Sequence, residues 1–489
     1  MAIIKVDNLT FHYPYIYDNI FEKTSFVLDT DWKLGFIGRN GKGKTTFLKL
    51  LQGEYAYDGQ IISSVKFDYF PYDVGDKQVG TAEILRKIAV NAENWQFEKE
   101  LSLLNVDRDV LTRPFCCLSE GEQTKVLLVG FFLKEGYFHL IDEPTNHLDR
   151  ASRETVARYL KGKKGFIVVS HDRNFLDSCV DHILSLNRHT IEVQKGNYTS
   201  WKRNFDYRQS NERTMNEKLG KEIDKMKQDF LRKQQWADKI EASKIGNGAC
   251  DRGYVGHMAA RMAKRAKAAE SRRQRAIEEK TALLKDVEET EQLKISGLRY
   301  RNNRLAEFKD VALFYGTRRV CSGVSFEVNN GDRIALQGRN GSGKSTLLKL
   351  IAGKDISYTG KVHIASDLTV SYVPQDTSFL KGSLDEFISD NGVDKTLFLT
   401  VLRKLDFDRG QFDKKMQDYS LGQKKKVMLA RSLCQKANLY LWDEPLNYID
   451  LYSRLQIEQL LVQSDITIIF VEHDSAFSSA VANKCVNLT

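Results

Sequence analysis

The stretch GRNGKGKTTFLKLLQGE, residues 38–54, decides the reading of this chain, and GRNGSGKSTLLKLIAGK repeats it at 338–354. Each copy holds two fixed glycines, a lysine and a hydroxyl at the spacing of a phosphate-binding loop. Glycines let backbone N–H groups come close enough to surround phosphate oxygens. The helix that each loop opens would turn its positive end towards the same oxygens. The preceding segments, KLGFI (33–37) and RIALQ (333–337), read as buried strands, which is the setting such a loop needs. Gly38, Asn40, Gly41, Gly43, Lys44, Thr45 and Thr46 are therefore candidate phosphate-binding residues, as are Gly338, Asn340, Gly341, Gly343, Lys344, Ser345 and Thr346. Lys44 and Lys344 would reach the β- and γ-phosphates, and Thr45 and Ser345 would ligate Mg²⁺.

Working outward, three further motifs keep the same order and nearly the same offset. LSEGEQTKV at Leu118 pairs with YSLGQKKKV at Tyr419, LIDEPTNHLD at Leu140 with LWDEPLNYID at Leu441, and VVSHD at Val168 with FVEHD at Phe470. Four ordered motifs found twice mark an internal repeat, hence two homologous α/β domains, 1–200 and 301–489. LIDEP and LWDEP read as short apolar strands ending in two acids. Asp142 and Asp443 are placed to hold Mg²⁺, and Glu143 and Glu444 to polarise an attacking water. His171 and His473, at matching offsets beyond the acids, are candidates for a γ-phosphate contact.

Composition narrows the class less than the motifs do. The net charge of +9 is moderate and does not by itself select nucleic acid as a partner. Seven scattered cysteines, with no C-x-x-C pair, favour thiols in a reducing compartment over disulfides or a metal cluster. The N-terminus has no basic flank followed by an apolar run of the signal-peptide kind. The longest apolar run, VLLVGFFL at 126–133, is far short of the roughly 20 residues of a spanning helix. A cytoplasmic chain without a membrane domain is expected.

Most of the excess charge sits between the repeats. Residues 201–290 hold 22 Lys+Arg against 15 Asp+Glu and no proline. Apolar residues recur at steps of four and three at Leu219, Ile223, Met226 and Phe230, and again from Met262 to Val287. Both series predict helices packing along one face. The intervening SKIGNGACDRGYVG (243–256) carries four glycines and reads as a loop. The linker, 201–300, is thus expected to be a long α-helical hairpin with its tip at 243–257. An arm of about 40 residues would be roughly 60 Å long. The run RMAKRAKAAESRRQR (261–275) would neutralise RNA phosphates.

On these residues the chain resembles the ATP-binding-cassette superfamily over both halves. The fold class implied is α/β, two P-loop ATP-binding-cassette domains joined by the helical hairpin, with ATP and Mg²⁺ as cofactors and ATP hydrolysis as the activity. In that family an LSGGQ-type signature closes over the ATP held by the opposite domain. The resemblance carries this role onto Ser119 and Gly121, facing the second loop, and Ser420 and Gly422, facing the first. Glu120 and Leu421 replace the first glycine of the family pattern. Tyr13 and Tyr315 stand where the family stacks an aromatic on adenine. Gln375, in SYVPQD, occupies the family's glutamine-loop position and would ligand Mg²⁺, whereas DYFPYD puts Tyr72 there in the first half. Unequal sites are expected.

Two cassettes without membrane spans, EPTNHLD at 143–149 and GNYTSWKR at 196–203 leading into a charged hairpin resemble the ABC-F group. In that group the linker enters the ribosomal exit site. The phosphate loop lies nearly the same distance from the signature serine in both halves, so neither an inserted arm in the first cassette nor a basic C-terminal extension is expected. That economy resembles the antibiotic-resistance members, the Lsa-type. The implied function is ribosome protection against lincosamides, pleuromutilins and streptogramin A drugs, by a monomer whose linker meets rRNA and P-site tRNA of the bacterial 70S ribosome. Tyr254, at the tip, is the candidate drug-proximal residue, and no DNA partner is expected. The alternatives are a housekeeping ABC-F translation factor and the ATPase subunit of a membrane importer, the latter disfavoured by the long charged linker.

Overall fold

The structure is a computed structural model that describes residues 2–14, 19–146, 148–187, 190–242, 293–295, 297–316, 318–407 and 409–488. The chain divides into two compact units, one formed by Met1–Trp201 with Thr290–Thr489, the other by Lys202–Glu289.

The first unit holds both repeats. In the first, a six-stranded sheet runs in the order Lys66–Phe70, Tyr137–Asp142, Phe166–Val169, Lys33–Gly38, His182–Leu186, Ile191–Lys195. Its neighbours are parallel except the last pair, which is an antiparallel hairpin. In the second, five strands repeat the arrangement in the order Val370–Val373, Leu439–Asp443, Ile468–Val471, Arg333–Gln337, Lys484–Asn487, all parallel. The central strands are buried along their length, as FIVV at 166–169 and LYLWD at 439–443 are. Parallel strands covered on both faces must read this way, as unbroken apolar runs. A three-stranded antiparallel sheet accompanies each: Phe21–Asp29, Ile3–Phe11, Asp58–Ser63, and Arg318–Asn329, Arg304–Tyr315, Ser357–Ile364.

This strand order positions the chemistry. The acids, the histidine and the phosphate loop of each cassette follow three strands that are neighbours in the sheet, so they converge beyond its carboxyl edge. In open α/β sheets that edge is where ligands bind. Apolar packing fixes the edge in place. Phe36, on the strand before the first loop, lies 5.5 Å ring to ring from Phe47 on the helix after it, and Phe21 and Phe26 close on Phe47 from the antiparallel sheet. In the second cassette fully buried Trp442 precedes Asp443 and donates its indole N–H to Ser432 Oγ at 2.9 Å.

The helix Tyr198–Ala242 starts where the extra hairpin strand ends. Asn197 accepts the Ser200 N–H and Asp177 the Thr199 N–H, which satisfies two of the free donors of the first turn. Tyr198 and Trp201 are buried at its base. Farther along, Ile223 of the anticipated seam is buried and Leu219 partly so, while Tyr207 and Met215 are exposed. The tip 243–257 with Tyr254, the second seam and the basic run 261–275 lie outside the described residues. Among the described residues no helix is long and apolar enough to cross a membrane.

Candidate active sites

Both phosphate loops end on a glycine in the left-handed region, Gly43 at φ 105° and Gly343 at φ 89°, which caps the following helix. At Gly43 a Cβ would also stand 2.5 Å from Ile20 Cγ2, so the position admits only glycine. The lysines curl back onto their own loops. Lys44 Nζ donates to the carbonyls of Gly38 (2.8 Å) and Arg39 (3.0 Å) and to Asn40 Oδ1 (3.2 Å). Lys344 Nζ donates to those of Gly338 (2.9 Å) and Arg339 (2.8 Å). Burial lowers the proton affinity of both ammonium groups, partly offset by the nearby acids. Each lysine therefore has reason to exchange backbone carbonyls for an anionic ligand.

Thr45 Oγ1 donates to Asp142 Oδ2 at 2.6 Å, and Ser345 Oγ to Asp443 Oδ1 at 3.1 Å. The hydroxyl and carboxylate expected to share a cation thus already meet in both cassettes. Asp443 Oδ2 is buried with no hydrogen-bond partner, and burial pushes this carboxyl up to about 6 against the opposing Ser345 bond. An orphaned carboxylate oxygen beside a hydroxyl is a donor set that fits a hard divalent cation. Thr45, Asp142, Ser345 and Asp443 would hold Mg²⁺ here.

Glu143 and Glu444 both adopt the left-handed backbone, φ 51° and 47°, and both donate their N–H to the neighbouring strand, Glu143 to Val169 O and Glu444 to Val471 O. Repeated strain of this kind at one position marks a side chain whose aim matters. The surroundings then diverge. Burial, with the Asp142 carboxylate beside it, pushes Glu143 up to about 8. His171 Nε2 stands 3.2 Å from Glu143 Oε1, but its hydrogen bond goes to Asn40 Oδ1 at 2.9 Å. Burial and the Lys44 charge hold the His171 imidazole well below its usual range. Burial would also raise Glu444, but His473, Gln375 and Lys425 outweigh it, and its carboxyl falls below the ordinary value. His473 Nε2 lies 3.3 Å from its Oε1, and the amides of Gln375 (2.9 Å) and Asn447 (2.6 Å) donate to its Oε2.

The first site is composite. A cavity of about 590 Å³ is lined by Tyr13, Gly41, Lys44, Thr45, Asp142, Glu143 and His171 from the first cassette, and by Ser420, Gly422 and Tyr448 from the second. Ser420 caps the helix Leu421–Cys434 in a reciprocal capping box with Gln423, so the signature serine stands where that helix begins. Asn40 Nδ2 donates 2.7 Å across the interface to Tyr448 O. The second site is wider, about 890 Å³, and its lining includes Tyr315, Gly341, Lys344, Ser345, Thr346, Gln375, Glu444 and His473. From the first cassette it receives Glu120, Asn146 and Leu148, while Ser119 and Gly121 are not among its lining residues. Ser119 is occupied locally, its Oγ donating to Glu122 Oε2 at 2.8 Å.

The aromatic candidates differ too. Tyr315 is 62 % exposed at the mouth of the second cavity, whereas the Tyr13 hydroxyl bonds Thr46 Oγ1 at 2.9 Å and its ring meets Phe11 and Tyr55 edge-on. Tyr72 turns away, donating its hydroxyl to Asp68 and packing on Phe131. Tyr69 reaches the first site instead, with its hydroxyl 3.0 Å from Asp142 Oδ2. Sequence reasoning did not single out Tyr69, Asn447 or Tyr448. Asn447 and Tyr448 stand in LNYID beside the acids, and the exchange of His147 for Tyr448 between the repeats was the available signal.

Two cassettes, each with a phosphate loop, paired acids and a histidine, with the first cavity lined by Ser420 and Gly422 of the second cassette, define a tandem P-loop ATPase. The family model described as ABC transporter matches residues 21–146 and 321–447, together more than half of the chain, and the chain belongs to that family. It is an ATPase of ABC-F-like tandem organisation. Among its relatives is the ribosome protection protein VmlR of Bacillus subtilis (strain 168), 28% identical over 456 residues that cover 92% of this chain and 80% of the relative. The ATP-binding protein Uup of Buchnera aphidicola is 26% identical, covering 99% and 80%. The archaeal ribosome recycling factor aABCE1, crystallised with the ribosomal stalk protein aP1, has the same fold with a TM-score of 0.65 at 22% identity, covering 98% of this chain and 87% of that one.

Proposed function

We propose that this ATPase binds the bacterial ribosome in its ATP-closed form and protects the peptidyl-transferase centre from lincosamide, pleuromutilin and streptogramin A antibiotics. The observation that carries this reading is the relationship to a ribosome protection protein that runs through both cassettes and the segment between them. The helix Tyr198–Ala242, 45 residues long and strongly charged, supports it as the first arm of the linker, 201–300, that would enter the exit site. In this reading Glu143 and Glu444 polarise the attacking water, and His171 and His473 contact the γ-phosphate. Thr45, Ser345, Asp142, Asp443 and Gln375 hold Mg²⁺, and Tyr13 and Tyr315 meet adenine. ATP binding draws Ser420 and Gly422 onto the first loop, and Ser119 and Gly121 onto the second. Closure sets the linker for entry, and hydrolysis releases the protein.

The test is sedimentation of the Glu143→Gln, Glu444→Gln protein with bacterial ribosomes, with and without ATP. ATP-dependent co-migration with 70S particles, followed by displacement of lincomycin and tiamulin, is the expected result. Co-migration without displacement would leave a housekeeping translation factor. Absence of binding across salt concentrations, with recovery in the membrane fraction, would overturn the ribosome reading in favour of a transporter subunit.

A further inference from the structure

The first phosphate loop is tied to the second cassette by the side chain of Arg39. The Arg39 carbonyl accepts from Lys44 Nζ, so the residue is part of the loop's frame. Its guanidinium leaves the loop, pairs with Asp406 at 3.3 Å and lies 5.5 Å from the ring centre of Tyr452. Tyr452 stands two residues past Asp450, in the helix Leu451–Gln463 of the second cassette. The same ring meets Trp201 edge-on, with centroids 6.5 Å apart and planes at 82°. Trp201 is buried and is the fourth residue of the helix Tyr198–Ala242. One aromatic ring of the second cassette therefore touches both the frame of the first phosphate loop and the first turn of the helix that continues into the linker.

The repeat supplies an internal control. Aligning IDLYS with LDRAS places Ala151 opposite Tyr452. Arg339, opposite Arg39, is exposed, whereas Arg39 is partly buried. Ala151 offers the second loop no ring in the place of Tyr452. This difference between the sites is separate from the Tyr72 substitution.

We propose that Tyr452 is a positioning residue supplied in trans to the first ATP site, and that it couples occupancy of that site to the base of the linker helix. Arg39 and Trp201 both belong to the first cassette's part of the chain, whereas Tyr452 belongs to the second. Closing the cassettes therefore builds both contacts at once and opening breaks both. A planar guanidinium over a partly buried ring resists displacement, so the ring steadies the carbonyl that holds Lys44. The inference needs only the ATPase activity and is independent of any ribosomal partner.

The test uses the full chain without ribosomes. In a Glu444→Gln background, which leaves the first site to turn over, Tyr452→Ala is compared with Tyr452→Phe. The alanine variant is expected to raise KM for ATP roughly three- to tenfold, the range of one lost cation–π contact, with kcat changed less. The phenylalanine variant keeps the ring and stays near the parent. The Trp201 emission change on adding ATP is isolated by subtracting the response of Trp201→Phe. It is expected to vanish in Tyr452→Ala at saturating ATP and to persist in Tyr452→Phe. Arg39→Lys, which keeps the charge beside Asp406 but loses the planar stack, is the second variant and should reproduce both effects if Tyr452→Ala misfolds. An unchanged KM in Tyr452→Ala and Arg39→Lys overturns the positioning role. A Trp201 response that is absent from the parent or unaltered by Tyr452→Ala overturns the coupling.

Discussion

Glu143 and Glu444 share a strand end and a strained backbone, yet Glu143 sits beside a histidine bonded elsewhere and Glu444 receives two amides. The expected outcome of Glu143→Gln with Glu444→Gln is a fall in ATP turnover of about a hundredfold or more with nucleotide binding retained, as loss of a general base produces. Phosphate release and equilibrium binding check the two halves of that statement. A second residue-scale prediction concerns Asp450, which is fully buried and 3.1 Å from buried Lys426. Burial alone would raise its carboxyl, but Lys426, the Ser453 N–H, His171 and Lys44 outweigh burial and hold it far below the usual carboxylate range. A depressed folded value means the ion pair contributes its full stability above the unfolded value, about 3.9, and loses it as pH falls towards the folded value. Asp450→Asn strands the ammonium of Lys426 and is expected to cost about 3–5 kcal/mol near neutrality. Urea titrations of both proteins should show that gap constant from about pH 8 to 5 and narrowing below about pH 4.

Among the elements, the signature helix of the second cassette starts against the neighbouring loop with no space to spare. A Cβ on Gly422 would stand 2.5 Å from Tyr448 O, the carbonyl that accepts from Asn40 of the first phosphate loop. Gly422→Ala must displace that backbone, and the expected effect is a weakened first site, read as a higher KM for ATP, with the melting temperature little changed. At Gly165 the conflict is within one cassette. A Cβ there would fall 1.8 Å from Thr30 O, where the strand Phe166–Val169 enters the sheet beside the turn that precedes Lys33. Gly165→Ala is expected to destabilise by about 3 kcal/mol or more, at the overpacked end of the measured range. Gly162→Ala, whose Cβ would come no closer than 3.4 Å to Tyr159 O, should lie within about 0.5 kcal/mol of the parent.

At the scale of the whole molecule, the cassettes are joined by buried charge as well as by the loops. Arg173 of the first cassette reaches Glu458 at 2.5 Å and Asp474 at 3.6 Å in the second. Arg454 of the second donates to His171 O of the first at 3.1 Å. Its counterpart, Arg153, keeps to its own cassette and pairs with Asp172 at 3.0 Å. The interface is thus unequal, with the first site's histidine braced across it. Arg173→Ala leaves two carboxylates near one another and is expected to destabilise the joined cassettes by about 3 kcal/mol. A double-mutant cycle with Glu458→Gln should recover part of that loss, because the second change removes one stranded charge.

The repeated loop, acid and histidine motifs were legible because backbone chemistry dictates them. A loop that surrounds phosphate needs glycines at fixed spacing, a buried parallel strand reads as an apolar run, and helix starts need Ser or Asp caps such as Ser420 and Asp450. Those local rules also placed the acids at strand ends and a long helix in the charged segment that GNYTSWKR opens. What the tertiary structure alone decided is which residues meet across the two halves. Tyr448 on Asn40, Tyr452 between Arg39 and Trp201, and Arg454 on His171 each join residues that share no local pattern. Periodicity and capping report on neighbours within a few residues, whereas these contacts depend on how two separately folded sheets face each other, and the inequality of the two ATP sites resides in them.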